Sequence, residues 1–258
     1  MMQKIFDSHV HIIDPQFELV ENNGFLPDHY TVGNYLSELK ELGLEAIGGA
    51  VVSGSFQGFH QDYFADALGK LGKLGKGFVG VIQLPFDTTD EELKKLHEIG
   101  IRGIRFNLFR GFDATLAEIK ELSLRVYQLH GWKTEFYINL AETSKKLKQL
   151  ILDFPAASID HLGMTQVPFE ELEDYLRKDI PIRLTGFGRI DYSREEAANL
   201  IRKIYDANPK CLVFGTDLPS TRARYRFSKQ DVALIREVLT EEESDNVFYQ
   251  NGYNWYLN

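Results

Sequence analysis

Residues 3–11 read Gln3-Lys4-Ile5-Phe6-Asp7-Ser8-His9-Val10-His11, and the way this first strand-like run ends decides the fold. A doubly wound dinucleotide-binding sheet usually follows its first strand with a G-x-G-x-x-G turn. This run ends instead in two histidines. Seven further strand candidates follow at about 46–53, 77–83, 101–108, 133–139, 156–161, 180–186 and 210–216. The segments between them are long enough for helical crossovers. Eight such units also fit an open sheet, but 258 residues match one closed barrel of about 250. The expectation is an α/β protein, a (β/α)8 TIM barrel, in a single domain over 1–258.

The intervening segments carry helical signals. Leu147, Leu150, Ile151 and Phe154 recur at helical spacing, as do Ala197, Leu200, Ile201 and Ile204. Thr89 with Glu92, Ser193 with Glu196 and Thr240 with Glu243 each form a capping-box pattern at a helix start. No linker or low-complexity segment breaks the alternation.

Composition excludes several classes. A formal charge of -9 argues against nucleic acid as partner, because phosphate binding needs a basic face. The apolar runs are too short for a membrane span. A single cysteine, Cys211, cannot form an internal disulfide and fits a reducing compartment. A cytoplasmic protein, monomer or homodimer, is expected.

Strand parity shows where polar chemistry sits. In the fourth strand Ile104, Phe106 and Leu108 share one face and Gly103, Arg105 and Asn107 the other. The fifth sets Phe136 and Ile138 against Glu135, Tyr137 and Asn139; the seventh sets Ile182 and Leu184 against Arg183 and Thr185. Apolar faces belong under the outer helices, so the polar sets face the barrel interior. Buried charge is costly unless paired or used. An internal ion-pair network of Glu135 with Arg105 or Arg183 is one way to satisfy it, and a polar site is the other.

Three strand ends then carry the chemistry. His9 and His11 are two residues apart, so both imidazoles point at one spot, where they can share a metal ion or polarise a carbonyl. The sixth strand ends in Ile159-Asp160-His161-Leu162-Gly163 and the eighth in Phe214-Gly215-Thr216-Asp217-Leu218-Pro219. His9, His11, His161 and Asp217 thus converge on one mouth, where barrel active sites lie.

D-x-H-x-H, I-D-H-x-G and G-T-D-x-P together resemble the amidohydrolase superfamily, and more narrowly its 2-pyrone-4,6-dicarboxylate lactonase and sugar-lactonase branch. Gly54-Ser55-Phe56-Gln57-Gly58 and Gly103-Ile104-Arg105-Phe106-Asn107 extend the resemblance over nearly the whole chain. It implies a hydrolase that opens the lactone ring of a small anionic substrate by water attack, with Asp217 as general base and His9, His11 and His161 beside it. It implies substrate contacts from Arg105, Arg110, Tyr137, Arg189, Ser55 and Asn107. Strand five offers neither the lysine nor the histidine that binuclear members use. That leaves no cofactor, or one divalent metal ion, zinc or manganese, on His9, His11 and Asp217. The branch implies metal independence, and an arginine-rich site disfavours a cation. A metal-dependent decarboxylase of the same family and a non-catalytic small-molecule-binding barrel are the alternatives.

Overall fold

The computed structural model of the protein describes residues 2–75 and 77–258. The first half of the chain alternates β1 (Gln3–Val10), α1 (Val32–Leu42), β2 (Leu44–Val52), α2 (Asp62–Gly72), β3 (Gly77–Ile82), α3 (Asp90–Glu98), β4 (Ile101–Phe106) and α4 (Leu116–His130). The second half continues with β5 (Lys133–Phe136), α5 (Lys145–Leu152), β6 (Ala157–Ile159), α6 (Phe169–Leu176), β7 (Ile182–Leu184), α7 (Arg194–Ala207), β8 (Leu212–Phe214) and α8 (Lys229–Val238). Two short helices, α9 (Glu241–Asp245) and α10 (Asn251–Leu257), end it. The eight strands pair in parallel in chain order, so the fold is the expected (β/α)8 barrel. The capping boxes read at Thr89, Ser193 and Thr240 form as expected. No helix among the described residues is long and apolar enough to cross a membrane.

Beyond β8 the chain returns to β1, and this seam lies at the histidines. Asp217 N–H donates to His9 O and His11 N–H donates to Leu218 O, each at 2.8 Å. Only glycine fits at Gly215, where a Cβ would stand 2.7 Å from His9 N. Asp7 staples the same seam. Its carboxylate accepts from Thr216 N–H at 2.8 Å, Thr216 Oγ1 at 2.7 Å and the Tyr35 hydroxyl of α1 at 2.9 Å. Simple alternation would put Asp7 and His9 on one face. A register shift in the β1–β2 ladder between Asp7 and Val10 separates them, so Asp7 meets α1 while His9 turns inward.

The parity reading holds in the other strands. Ile104, Phe106, Phe136, Ile182 and Leu184 pack in the main core, while Arg105, Glu135, Arg183 and Thr185 are buried inside the barrel. Both ways of satisfying the interior charges are present, at different depths. Arg183 Nη1 lies 2.5 Å from Glu135 Oε1 and 2.6 Å from the Tyr256 hydroxyl, and its Nη2 donates to Ser8 O. Tyr256 comes from α10, which packs Tyr253 and Tyr256 against Phe6. The terminal helix therefore supplies part of the barrel interior. Cys211 is buried, and burial pushes its thiol up to about 12, which leaves it inert.

Candidate active site

Asp217 sits just past β8 with a φ of 57°, a left-handed conformation that costs an aspartate on the order of 1–3 kcal/mol. Its two oxygens face different partners. Oδ2 accepts from Arg189 Nε at 2.7 Å and lies 2.7 Å from Arg189 Nη2. Oδ1 lies 3.7 Å from His9 Nε2 and 3.5 Å from His11 Nε2. Burial alone would raise this carboxyl, but Arg189, His161 and His11 hold it well below the usual carboxylate range. It is an anion with one oxygen committed and one open.

The imidazoles differ in their second nitrogens. His11 Nδ1 lies 2.7 Å from Val52 O. A carbonyl only accepts, so Nδ1 carries a proton and donates it to Val52 O, which leaves Nε2 directed at Asp217. His9 is fully buried, and neither of its ring nitrogens has a hydrogen-bond partner among the described residues. Burial, with Arg105 and the other two histidines adding to it, holds His9 well below the usual imidazole range. His161, also left-handed at φ 52°, places Nδ1 2.8 Å from Thr185 Oγ1. Burial pushes it down to about 3 against the raising pull of Asp217. Gly186 makes room for the ring, since a Cβ there would lie 2.5 Å from His161 Nδ1.

A layer beneath holds the basic groups. Asp160 Oδ2 accepts from Arg105 Nε at 2.9 Å, while its Oδ1 lies 3.6 Å from Arg183 Nε and 3.8 Å from His9 Nδ1. Arg105 also donates to Ser53 O at 3.2 Å and lies over the Tyr137 ring at 4.9 Å. Above it opens a cleft lined by His11, His161, Ser55, Arg105, Asn107, Arg110, Tyr137 and Arg189, joined by Thr221 and Arg222. Every residue expected to contact substrate lines this cleft, and His9 and Asp217 lie against its histidines.

Some assignments shift. Arg189, expected to bind a substrate carboxylate, has a carboxylate inside the chain in Asp217. Sequence reasoning gave no role to Asp7, Asp160 and Thr185, although each lay in or beside a quoted motif. It missed Arg222 altogether.

The donor set suits one cation. Ligand atoms of His9, His161 and Asp217, all buried, lie within 4.8 Å of one another. His9 Nδ1 and Nε2 and Asp217 Oδ1 are buried without hydrogen-bond partners among the described residues, which suits metal ligands. The group whose atoms converge thus contains His161 beside the expected His9 and Asp217, with His11 Nε2 facing the same carboxylate oxygen. Two of the four cleft arginines are offset by carboxylates of the chain, Arg105 by Asp160 and Arg189 by Asp217.

Comparison with known proteins gives one family. Residues 6–256 match the family described as amidohydrolase. A 4-sulfomuconolactone hydrolase of Hydrogenophaga intermedia is 26% identical over 232 residues, 83% of this chain and 74% of that one. A 2-pyrone-4,6-dicarboxylate hydrolase of Comamonas testosteroni is 24% identical over 238 residues, 83% of this chain and 76% of that one. Among solved structures, a probable 2-pyrone-4,6-dicarboxylic acid hydrolase of Acinetobacter baumannii with citric acid bound superposes with a TM-score of 0.76 at 22% identity, over 97% of this chain and 98% of that one. That superposition shows the shared fold.

Proposed function

This chain belongs to the amidohydrolase family, and from that premise we propose that it hydrolyses the lactone ring of a small carboxylated substrate. The observation that carries the proposal is the open Oδ1 of an ionised Asp217, facing His9 and His11 at 3.7 and 3.5 Å beside an arginine-lined cleft. Both relatives are named for lactone or pyrone hydrolysis, which supports the same reading.

Asp217 Oδ1 takes a proton from water as the water oxygen bonds to the lactone carbonyl carbon. The ring C–O bond then breaks, and the proton passes to the departing alkoxide. The product is a hydroxy acid, with no covalent enzyme intermediate. His11 cannot donate to the developing oxyanion while neutral, because its proton is committed to Val52 O. His161 can. A Thr185 hydroxyl donating to Nδ1, 2.8 Å away, would leave the ring proton on Nε2, where it would serve the oxyanion. Arg189 holds Asp217 in its orientation and keeps it ionised. Arg105, fixed by Asp160, orients a substrate carboxylate with Tyr137, Ser55 and Asn107.

His9, His161 and Asp217, with His11 beside them, would hold a divalent ion such as zinc or manganese. When bound, that ion would polarise a carbonyl and acidify a water. Elemental analysis of the freshly purified protein measures its occupancy.

The test is proton release in a pH-stat across carboxylated lactones. Turnover of at least one of them is expected, while evolution of CO2 from a hydroxybenzoate with no lactone turnover would assign a decarboxylase instead. The pH profile adds a second check. Asp217, held down above all by Arg189, has a depressed pKa, so its active anionic form persists as pH falls. His161 is neutral down to about 3. Neither Asp217 nor His161 should therefore contribute an acid limb to kcat/KM between about pH 8 and about pH 5. An acid limb near the ordinary imidazole value of about 6.5 would show that one of these histidines titrates in the working range.

A further inference from the structure

The third strand brings a polar side chain to the barrel mouth that the proposed reaction does not use. Val79 and Val81 of β3 pack in one cluster with Phe6, Ala50, Val52 and Tyr256 inside the barrel. Gln83 is the next residue with their parity, so it points inward at the C-terminal end of the strand. It is only 4% exposed, and its amide makes no hydrogen bond among the described residues. With Asn22, Phe59 and Phe112 it lines a chamber beside the cleft, and Ser55, Asn107 and Arg110 line both spaces. Asn22 Oδ1 is buried and has no hydrogen-bond partner among the described residues. Phe59 meets Phe112 edge to face at 6.1 Å, and Phe112 packs on Phe86 at 5.8 Å and Phe106 at 5.9 Å. The chamber thus has a fixed aromatic wall and two neutral polar groups with nothing inside the chain to bond.

Room for a substrate lies on this side. The space lined by His11 and His161 measures about 20 Å³, little more than the roughly 10–15 Å³ that admits one water. The adjoining chamber measures about 130 Å³, so a ligand that reaches the histidines extends into it. The Gln83 amide both donates and accepts, whereas Asn22 Oδ1 only accepts. A carboxylate brings acceptors alone and would leave Asn22 Oδ1 buried and unpaired. A group that donates as well as accepts satisfies both. We infer that Gln83 and Asn22 form a subsite for an uncharged substrate arm ending in a hydroxyl or carboxamide, its stem lying against Phe59 and Phe112. The proposal rests on the lactone-hydrolase reading and narrows its substrate to one with a neutral polar arm beyond the reacting ring. Arg110 also lines the chamber, so an acidic arm is the competing occupant, and the experiment includes it.

The experiment uses inert ligands, so it stands apart from turnover. Calorimetric titration of the full chain compares 3-carbamoylbenzoate and 3-(hydroxymethyl)benzoate with 3-acetylbenzoate and isophthalate. The acetyl group has the shape of the carboxamide without its N–H, and isophthalate carries the acidic arm. At least one of the first two should bind about tenfold tighter than either of the others, the discrimination expected when a buried acceptor goes unpaired. The tighter of the two assigns the terminal group. Gln83→Met keeps the length of the side chain and removes the amide. It should bring the advantage close to one, and Tm should not fall, since that amide supports nothing inside the chain. Equal affinity for the carbamoyl, hydroxymethyl and acetyl probes would overturn the subsite, as would tightest binding of isophthalate or no binding of the two neutral polar probes. So would a Gln83→Met variant that lowers Tm and weakens every probe alike, because Gln83 would then be structural. A chain that hydrolyses carboxylated lactones yet shows no such advantage would lose this subsite and keep its proposed reaction. A chain that shows the advantage and hydrolyses no lactone would do the reverse.

Discussion

Asp217→Asn should lower kcat on a carboxylated lactone by about a thousandfold or more, the contribution typical of a well-placed general base. Asparagine keeps an oxygen for Arg189 but cannot accept the water proton. It also leaves Arg189 as a buried cation without its anion, so a lower Tm is expected. Circular dichroism at the assay temperature separates that cost from loss of chemistry. A folded Asp217→Asn variant with near-normal turnover would remove Asp217 from the reaction. Inhibitor binding should survive in the variant, because the proposed reaction has the carboxylate act on water and leaves the ligand to the cleft arginines.

The second large effect concerns stability. Arg183→Met removes the partner of Glu135, which is fully buried, and also breaks the contacts to Tyr256 and Ser8 O. Leaving a carboxylate unpaired inside the barrel should cost about 3–5 kcal/mol, or about 10 °C in Tm for a chain of this size. Replacing both ions, as Arg183→Met with Glu135→Leu, should recover more than half of that loss. Thermal melts of the two single variants and the double variant decide it. If the two single effects simply add in the double variant, the pair is not a coupled buried unit. Asp160 Oδ1 also faces Arg183 Nε at 3.6 Å, so part of the loss should appear as looser placement of Arg105.

Most of this architecture can be read from strand parity. Arg105, Glu135, Arg183 and Thr185 stand out because charged or polar groups alternate with large apolar ones, and the same alternation locates the outer core. His9 and His11 are legible from their spacing alone. Asp7 is not, because its turn away from His9 depends on a register shift that leaves no mark in the residue order. Strand ends are also blurred. The sequence suggests a fifth strand reaching Asn139, whereas β5 stops at Phe136 and Tyr137 to Asn139 continue toward the cleft as irregular backbone. β6 and β8 likewise stop short of the suggested ends, at Ile159 and Phe214, before the left-handed residues His161 and Asp217.

What long-range packing decides stays hidden. The role of Asp160 depends on Arg105 and Arg183 from two other strands, and that of Arg189 on Asp217. Arg222 lies in a loop with neither periodicity nor motif. Nothing local predicts that the Tyr256 hydroxyl reaches Glu135 and Arg183.

Hydrolysis of a carboxylated lactone in water enriched in 18O tests the central chemistry most directly. Mass spectrometry should find one heavy oxygen in the newly formed carboxylate and none in the released hydroxyl, as direct water attack on the carbonyl requires. Label in the hydroxyl, or consumption of substrate with no label gained, would contradict it.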